Sequence, residues 1–210
     1  MRPRAGRWPG TLAAVLVVGG IFCAGLGLGQ ATGNIHLSSL FSGSGSKPPP
    51  GRFPVLGPSQ PTRIVIPSIG LRAPVHGVGR DTDGSIAVPA LALRNEAGWF
   101  REGPTPGQYG PAILVGHVDT KDHPAVFAHI DDLKAGARIE ITRRDRQVAI
   151  FEVNSVETFS KAQLPVKRVY DDYSRPGLRL ITCGGTWVGG ELGYASNVIV
   201  FASLVTVHKA

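Results

Sequence analysis

From Pro61 onward the apolar residues fall into short runs separated by turn residues, with no long stretch at helical spacing. "TRIVIP" alternates polar and apolar positions until Pro67 closes it, and "LRAPVHGVG" follows after "SIG". "GSIAVP" comes behind the turn signal "DTDG", and "PAILVGH" is a continuous apolar run of the kind a fully buried strand shows. "ARIEITRRD" and "RQVAIFEVNSVETF" form a hairpin pair with the turn at Arg144–Arg146, and "GLRLITCG" and "NVIVFASLVTV" end the chain. Short helical turns fit His123–Leu133 and Pro165–Tyr173. About eight short strands at regular spacing, without heptads or an internal repeat, predict an all-β domain, either a closed barrel or a sandwich.

The N-terminal pattern is different. Residues 1–10 form a basic tail, and an uninterrupted apolar run extends from Thr11 to Leu28. Such a run matches the roughly 20 residues that span a bilayer core. Arginines precede it and no charge follows until Lys47, which predicts a single transmembrane anchor over 11–30 with its N-terminus inside. A cleaved signal peptide is the second reading, with "GQA" at Gly29–Ala31 as a weak processing site. A lipoprotein at Cys23 conflicts with the bulky Phe22, and a buried core helix conflicts with the lack of a polar face. Residues 31–60, rich in Gly, Ser and Pro, read as a linker. The strand-rich domain at 61–210 is thus expected at the cell membrane, on the extracytoplasmic side.

Composition agrees with strands and turns. The chain has 28 glycines and 17 prolines in 210 residues, too many for a helical bundle. The net charge of +7 invites a nucleic-acid reading, but residues 1–60 hold five cations and no acid, which leaves +2 for the other 150 residues. A nearly neutral domain lacks the electrostatic footprint of a nucleic-acid binder.

There are two cysteines. Cys23 lies in the apolar anchor, which leaves Cys183 in "RLITCGG" without an intrachain disulfide partner. A zinc site needs about four suitably spaced ligands, and scattered histidines do not supply them, so no metal or cofactor is expected. Composition favours a small buried cysteine. A free reactive thiol is the alternative, because Cys183 ends an apolar strand and is followed by two glycines that would let a substrate backbone approach. A thiol nucleophile needs a proton partner. Of the six histidines, His36 lies in the linker, His208 at the tail, and His123 and His129 flank a surface turn, while His76 fits a half-exposed strand position. His117 stands where the strand "AILV" runs into Gly-His, the same strand-end position as Cys183. A loop histidine bonded to Asp119 is the other reading of this residue.

"RIVIPSIGLRAPV", "ILVGHVD" and "LRLITCGG", in that order behind an apolar anchor, resemble the sortases, membrane-anchored cysteine transpeptidases. "AGWFREGPTPGQYGPAILVGHVDT" and "LITCGG…NVIVFA" are most similar to the class F type of actinobacteria. The resemblance covers roughly residues 60–207. It implies a closed eight-stranded β-barrel, with Cys183 as nucleophile and His117 as its proton partner. It implies further that Cys183 cleaves an LPXTG-like sorting signal of secreted proteins between Thr and Gly. The resulting thioester would pass to an amine of a peptidoglycan precursor. One departure stands out: sortases usually carry an arginine about a dozen residues after the cysteine, and this chain has none after Cys183. Asn197 occupies that region and can donate to an oxyanion. Arg179 shares the strand face of Cys183, but its Cα is about 13 Å away at ~3.3 Å per residue. A surface cysteine peptidase that only hydrolyses, and a degenerate sortase that binds without turnover, are the alternatives. The L,D-transpeptidase type is disfavoured because its Ser-His-Gly-Cys signature is absent.

Overall fold

A computed structural model of the chain describes residues 53–189 and 193–210. The expected anchor over 11–30 and the first part of the linker lie outside the described residues. Among the described residues no helix is long and apolar enough to cross a membrane.

Eight strands close into a barrel in the order β1-β2-β3-β4-β7-β8-β6-β5. β1 (Pro61–Ile66), β2 (Leu71–Val78), β3 (Ala97–Phe100) and β4 (Gly110–Val115) precede β5 (Arg138–Arg143), β6 (Gln147–Ser160), β7 (Pro176–Gly189) and β8 (Gly193–Lys209). β5 returns to pair with β1, so no strand edge is left open. Most neighbours are antiparallel, while β2–β3 and β4–β7 are parallel. One short helix, α1 (Val166–Tyr170), lies in the β6–β7 connection.

Alternation decides which residues fill the barrel. Ala112 and Leu114 of β4, Leu178 and Leu180 of β7, and Val198, Val200 and Ala202 of β8 point inward, joined by Trp99, Phe127 and Phe151. The intervening residues of the same strands point outward. Ile113 and Val115 form an outer cluster with Val78 and Phe100, and Ile181 packs against it. Ile199 and Phe201 form a second outer cluster with Val169 of α1.

Seven of the strands predicted from periodicity are present, and one is not. "GSIAVP" makes only a single bridge, Ile86 to Arg80, and Ile86 instead covers the outer cluster. The eighth strand is β3, whose four residues are all buried and therefore show no alternation. The predicted turn at Arg144–Arg146 joins β5 to β6, with Arg146 in the left-handed region at φ 63°. The predicted helical turns are a 3-10 turn at Ile130–Asp132 and α1. Residues 53–60, the end of the expected linker, run against the barrel. The buried Arg143 donates to the Gly57 carbonyl at 2.7 Å, and Leu56 N donates to Gly107 O at 2.9 Å.

Candidate active site

β4 and β7 are parallel neighbours, and Val115 is the register partner of Ile181. His117 and Cys183 each lie two residues further on. Alternation sends Cys183 to the outward face of β7, and His117, just past the end of β4, opens into the same groove. Two hydrogen bonds stitch the strand ends together: Gly116 N donates to Ile181 O at 3.2 Å, and the buried Thr182 hydroxyl donates to Gly116 O at 2.8 Å. The residues just before the imidazole and the thiol are thus tied to each other.

The loop after His117 folds back on it. Phe127 N donates to His117 O at 2.9 Å, and Ala125 N donates to Val118 O at 3.0 Å. Position 116 must be glycine for this to happen, because a Cβ there would meet Val126 Cγ1 at 2.6 Å and Phe127 Cδ2 at 2.7 Å. On the ring, Nε2 lies 2.7 Å from the Pro89 carbonyl oxygen. A carbonyl only accepts, so Nε2 carries the proton and, in the neutral ring, Nδ1 holds the lone pair. The reading of His117 as bonded to Asp119 does not hold: the ring bonds Pro89, and Asp119 Oδ2 accepts instead from the Tyr194 hydroxyl.

Cys183 is a free, half-buried thiol, and its register partner across the β7–β8 pair is Asn197. Asn197 is two residues before the outward-facing Ile199 and so shares the face of Cys183. The glycines after the cysteine serve the hairpin rather than an approaching ligand. A Cβ on Gly184 would strike Val198 Cγ2 at 2.6 Å, and Gly185 sits at φ +76° where the register shifts.

His117 and Cys183 open into one groove of about 360 Å³. The other walls are Leu91 from the β2–β3 connection, residues 118–121, Lys161 after β6, and Trp187, Gly193 and Tyr194 of the β7–β8 hairpin. Trp187, 63% exposed, meets Tyr194 edge-to-face with centroids 5.1 Å apart. The hydrogen bond to the Asp119 carboxylate holds the Tyr194 phenol above its ordinary pKa. Tyr194, Lys121 and Lys161 were not singled out from the sequence, and Asp119 was named there only as a partner for His117. Asp119 and Tyr194 are 75 positions apart, and the β4–β7–β8 pairing brings them together.

Among the described residues no arginine lines this groove. Arg179 is buried under α1, where its guanidinium donates to Asp172 Oδ2 and the Arg168 carbonyl, each at 3.3 Å, and lies 4.9 Å from the Phe201 ring. Burial pulls its pKa below the usual arginine value, with Asp172 opposing. His76 pairs with Glu96 at 2.9 Å and His129 with Asp132 at 3.4 Å, and neither lines the groove.

A closed eight-stranded barrel of this topology, with a thiol within β7 beside an imidazole just past the end of its parallel neighbour β4, defines a sortase-type fold. The family described as Sortase domain matches residues 64–205, and the chain belongs to it. Solved structures agree on the fold. Sortase C-3 from Streptococcus pneumoniae is 17% identical with a TM-score of 0.54, covering 73% of this chain and 66% of that one. Sortase A from Corynebacterium diphtheriae is 19% identical with a TM-score of 0.53, over 71% and 62% of the two chains. Sortase A from Listeria monocytogenes is 18% identical with a TM-score of 0.54, over 72% and 91%. The chain thus spans just under two thirds of the streptococcal and corynebacterial proteins. No protein of curated function matches the sequence.

Proposed function

We propose that this sortase is a cell-surface cysteine transpeptidase of the class F type. It cleaves an LPXTG-like signal between Thr and Gly and transfers the acyl group to an amine of a cell-wall precursor. The observation that carries the reading is the shared position of His117 and Cys183, stitched through Gly116 and Thr182 at one end of the barrel and open to one groove. Cys183 Sγ attacks the scissile carbonyl, the C–N bond breaks, and His117 hands a proton to the departing amine. The thioester then passes to an incoming amine. Asn197, across from Cys183 on the same face, offers its side-chain amide to the oxyanion in place of the arginine absent after Cys183.

The peptide would lie on the outward faces of β4 and β7. Ile113, Pro111, Phe100, Tyr170 and Tyr173 line a second groove of about 360 Å³ there, an apolar bed for the signal's leucine and proline. The anchor over 11–30, the linker and an extracytoplasmic catalytic domain belong to the same proposal.

The full chain, in detergent, should convert an LPXTG peptide plus a small amine into the ligated amide, separated by chromatography. Ligated product that grows with amine concentration supports a transpeptidase. Hydrolysed peptide alone, whatever the amine, makes the protein a peptidase, and peptide binding without either product makes it a binding module.

A further inference from the structure

His117 is held by its main chain and, separately, by its ring. The loop that follows it fixes the main chain, through Phe127 N on His117 O. The β2–β3 connection holds the ring, through the Pro89 carbonyl oxygen 2.7 Å from Nε2. A backbone carbonyl orients a side chain only if the backbone that carries it is itself fixed. Pro89 meets that condition. It is buried, although its neighbours Val88 and Ala90 are exposed. Its own ring locks φ. That ring packs over β3, where a Cβ built on Gly98 would come within 3.2 Å of Pro89 Cδ. Two residues earlier, Ala87 N donates to Gly79 O at 3.0 Å, and Ile86 covers the outer cluster of Val78, Phe100, Ile113 and Val115. Five residues later, the Arg94 carbonyl accepts from Val126 N at 2.8 Å, which ties the connection to the loop behind His117. The chain is thus pinned before, at and after the carbonyl that meets the imidazole.

We propose that Pro89 is the positioning residue of the His117 imidazole: its carbonyl keeps the proton of the neutral ring on Nε2, so that Nδ1 is the atom that exchanges protons with Cys183 and with the departing amine. This rests on the transpeptidase reading above and adds to it the group that fixes the tautomer. In the first half of the reaction the Cys183 thiol proton passes to Nδ1 as Sγ adds to the scissile carbonyl carbon. The C–N bond then breaks, and the Nδ1 proton goes to the departing nitrogen. Nε2–H stays on the Pro89 oxygen throughout. Without that acceptor the neutral ring carries its proton on either nitrogen. The population with Nδ1–H then lacks the lone pair that the thiol proton needs.

The test uses the full chain in detergent, with isotope-labelled histidine, and reads the ring nitrogens by NMR at alkaline pH, where the imidazole is neutral. The His117 signals are those lost in His117→Gln. The wild-type protein should show His117 as a single tautomer with its proton on Nε2. A proton on Nδ1, or a mixture of the two, would overturn the proposal without any further variant. Pro89→Gly frees φ and removes the ring that packs over Gly98. It should give mixed tautomers and lower kcat for an LPXTG peptide about tenfold, the size of one hydrogen bond, with KM nearly unchanged. Pro89→Ala should fall between the two, and it carries the same reading if the glycine variant does not fold. Leu91→Ala, on the same connection and exposed, should keep the wild-type tautomer. An unchanged tautomer in the Pro89 variants would overturn the proposal, and so would a raised KM with kcat intact, because Pro89 would then only shape the groove. A tautomer shift as large in Leu91→Ala would overturn it too, since the effect would belong to the loop as a whole. Failure of the underlying reading is distinct: no acyl-enzyme would form with any peptide, while the ring nitrogens would still report the bond to Pro89.

Discussion

The outward face of β7 carries Arg179 and Cys183 four residues apart, and the fold treats them in opposite ways. Arg179 is 4% exposed, capped by α1 and Phe201 and held by Asp172. Cys183 is half-buried and opens into the groove shared with His117. The β6–β7 connection makes the difference: α1 covers the first half of the strand, and Lys161, at the connection's start, only walls the second. Shared strand face therefore does not mean shared role. A cation that sequence places near the thiol has become part of the packing, and the cations near the thiol come from loops distant in sequence.

Substitutions at the two ends should separate cleanly. Cys183→Ala should abolish peptide turnover while leaving thermal unfolding nearly unmoved, and His117→Ala should cost roughly 10²–10⁴-fold in rate. Both are read by ligation assay and calorimetry. Gly116→Ala should come next, because its Cβ would strike Val126 and Phe127 and push His117 from its place. A displacement of that kind costs about 10²-fold in rate, and overpacking destabilises by about 1–3 kcal/mol. A Gly116→Ala protein with normal rate and stability would show that the fold-back of the loop does not set the imidazole.

Arg179→Ala should do the reverse of Cys183→Ala. It removes packing against Phe201 and an ion pair whose acid is 42% exposed, so denaturant titration should show a loss of about 1–3 kcal/mol. The folded fraction should still ligate at the normal rate, and a rate loss there would put Arg179 in the site after all. The smallest effect is expected from acid. The Ser174 hydroxyl first, and the Arg179 charge after it, hold Asp172 below the ordinary carboxylate range against the opposing effect of burial. A lowered folded pKa means stability present above the unfolded value of about 4 and lost as pH falls through the folded value. Asp172→Asn should therefore lower the neutral plateau of a stability–pH curve slightly and flatten its acid limb below about pH 4.

How much of this was legible in the sequence follows from the physics of each element. β1, β2 and β4–β8 announce themselves because one face of each meets the barrel interior, and period-2 alternation or a continuous apolar run records that. β3 does not, because all four of its residues are buried and it pairs in parallel with β2 across a long connection. "GSIAVP" has strand-like composition because Ile86 must be apolar to cover the outer cluster, not because it joins the sheet. His117 was legible as a residue at the end of β4, whereas Cys183, read as a strand end, lies within β7, which runs on to Gly189 because the glycines after it continue the hairpin with β8. The Asp119–Tyr194 pair, and the two lysines, were not legible, since they meet only through the β4–β7–β8 pairing and loop placement. Asn197, singled out only by its distance in sequence after the cysteine, is the register partner of Cys183 and is not among the residues that line the groove.

The central claim is that Cys183 and His117 act as one pair in acyl transfer. Intact-mass measurement of the full chain mixed with an LPXTG peptide addresses it directly. The account predicts an adduct of the peptide's acyl portion on Cys183 that forms without amine and disappears when amine is added. Cys183→Ala should give no adduct, and His117→Ala should form it far more slowly. A folded wild-type protein that binds the peptide yet never carries the adduct would contradict the account.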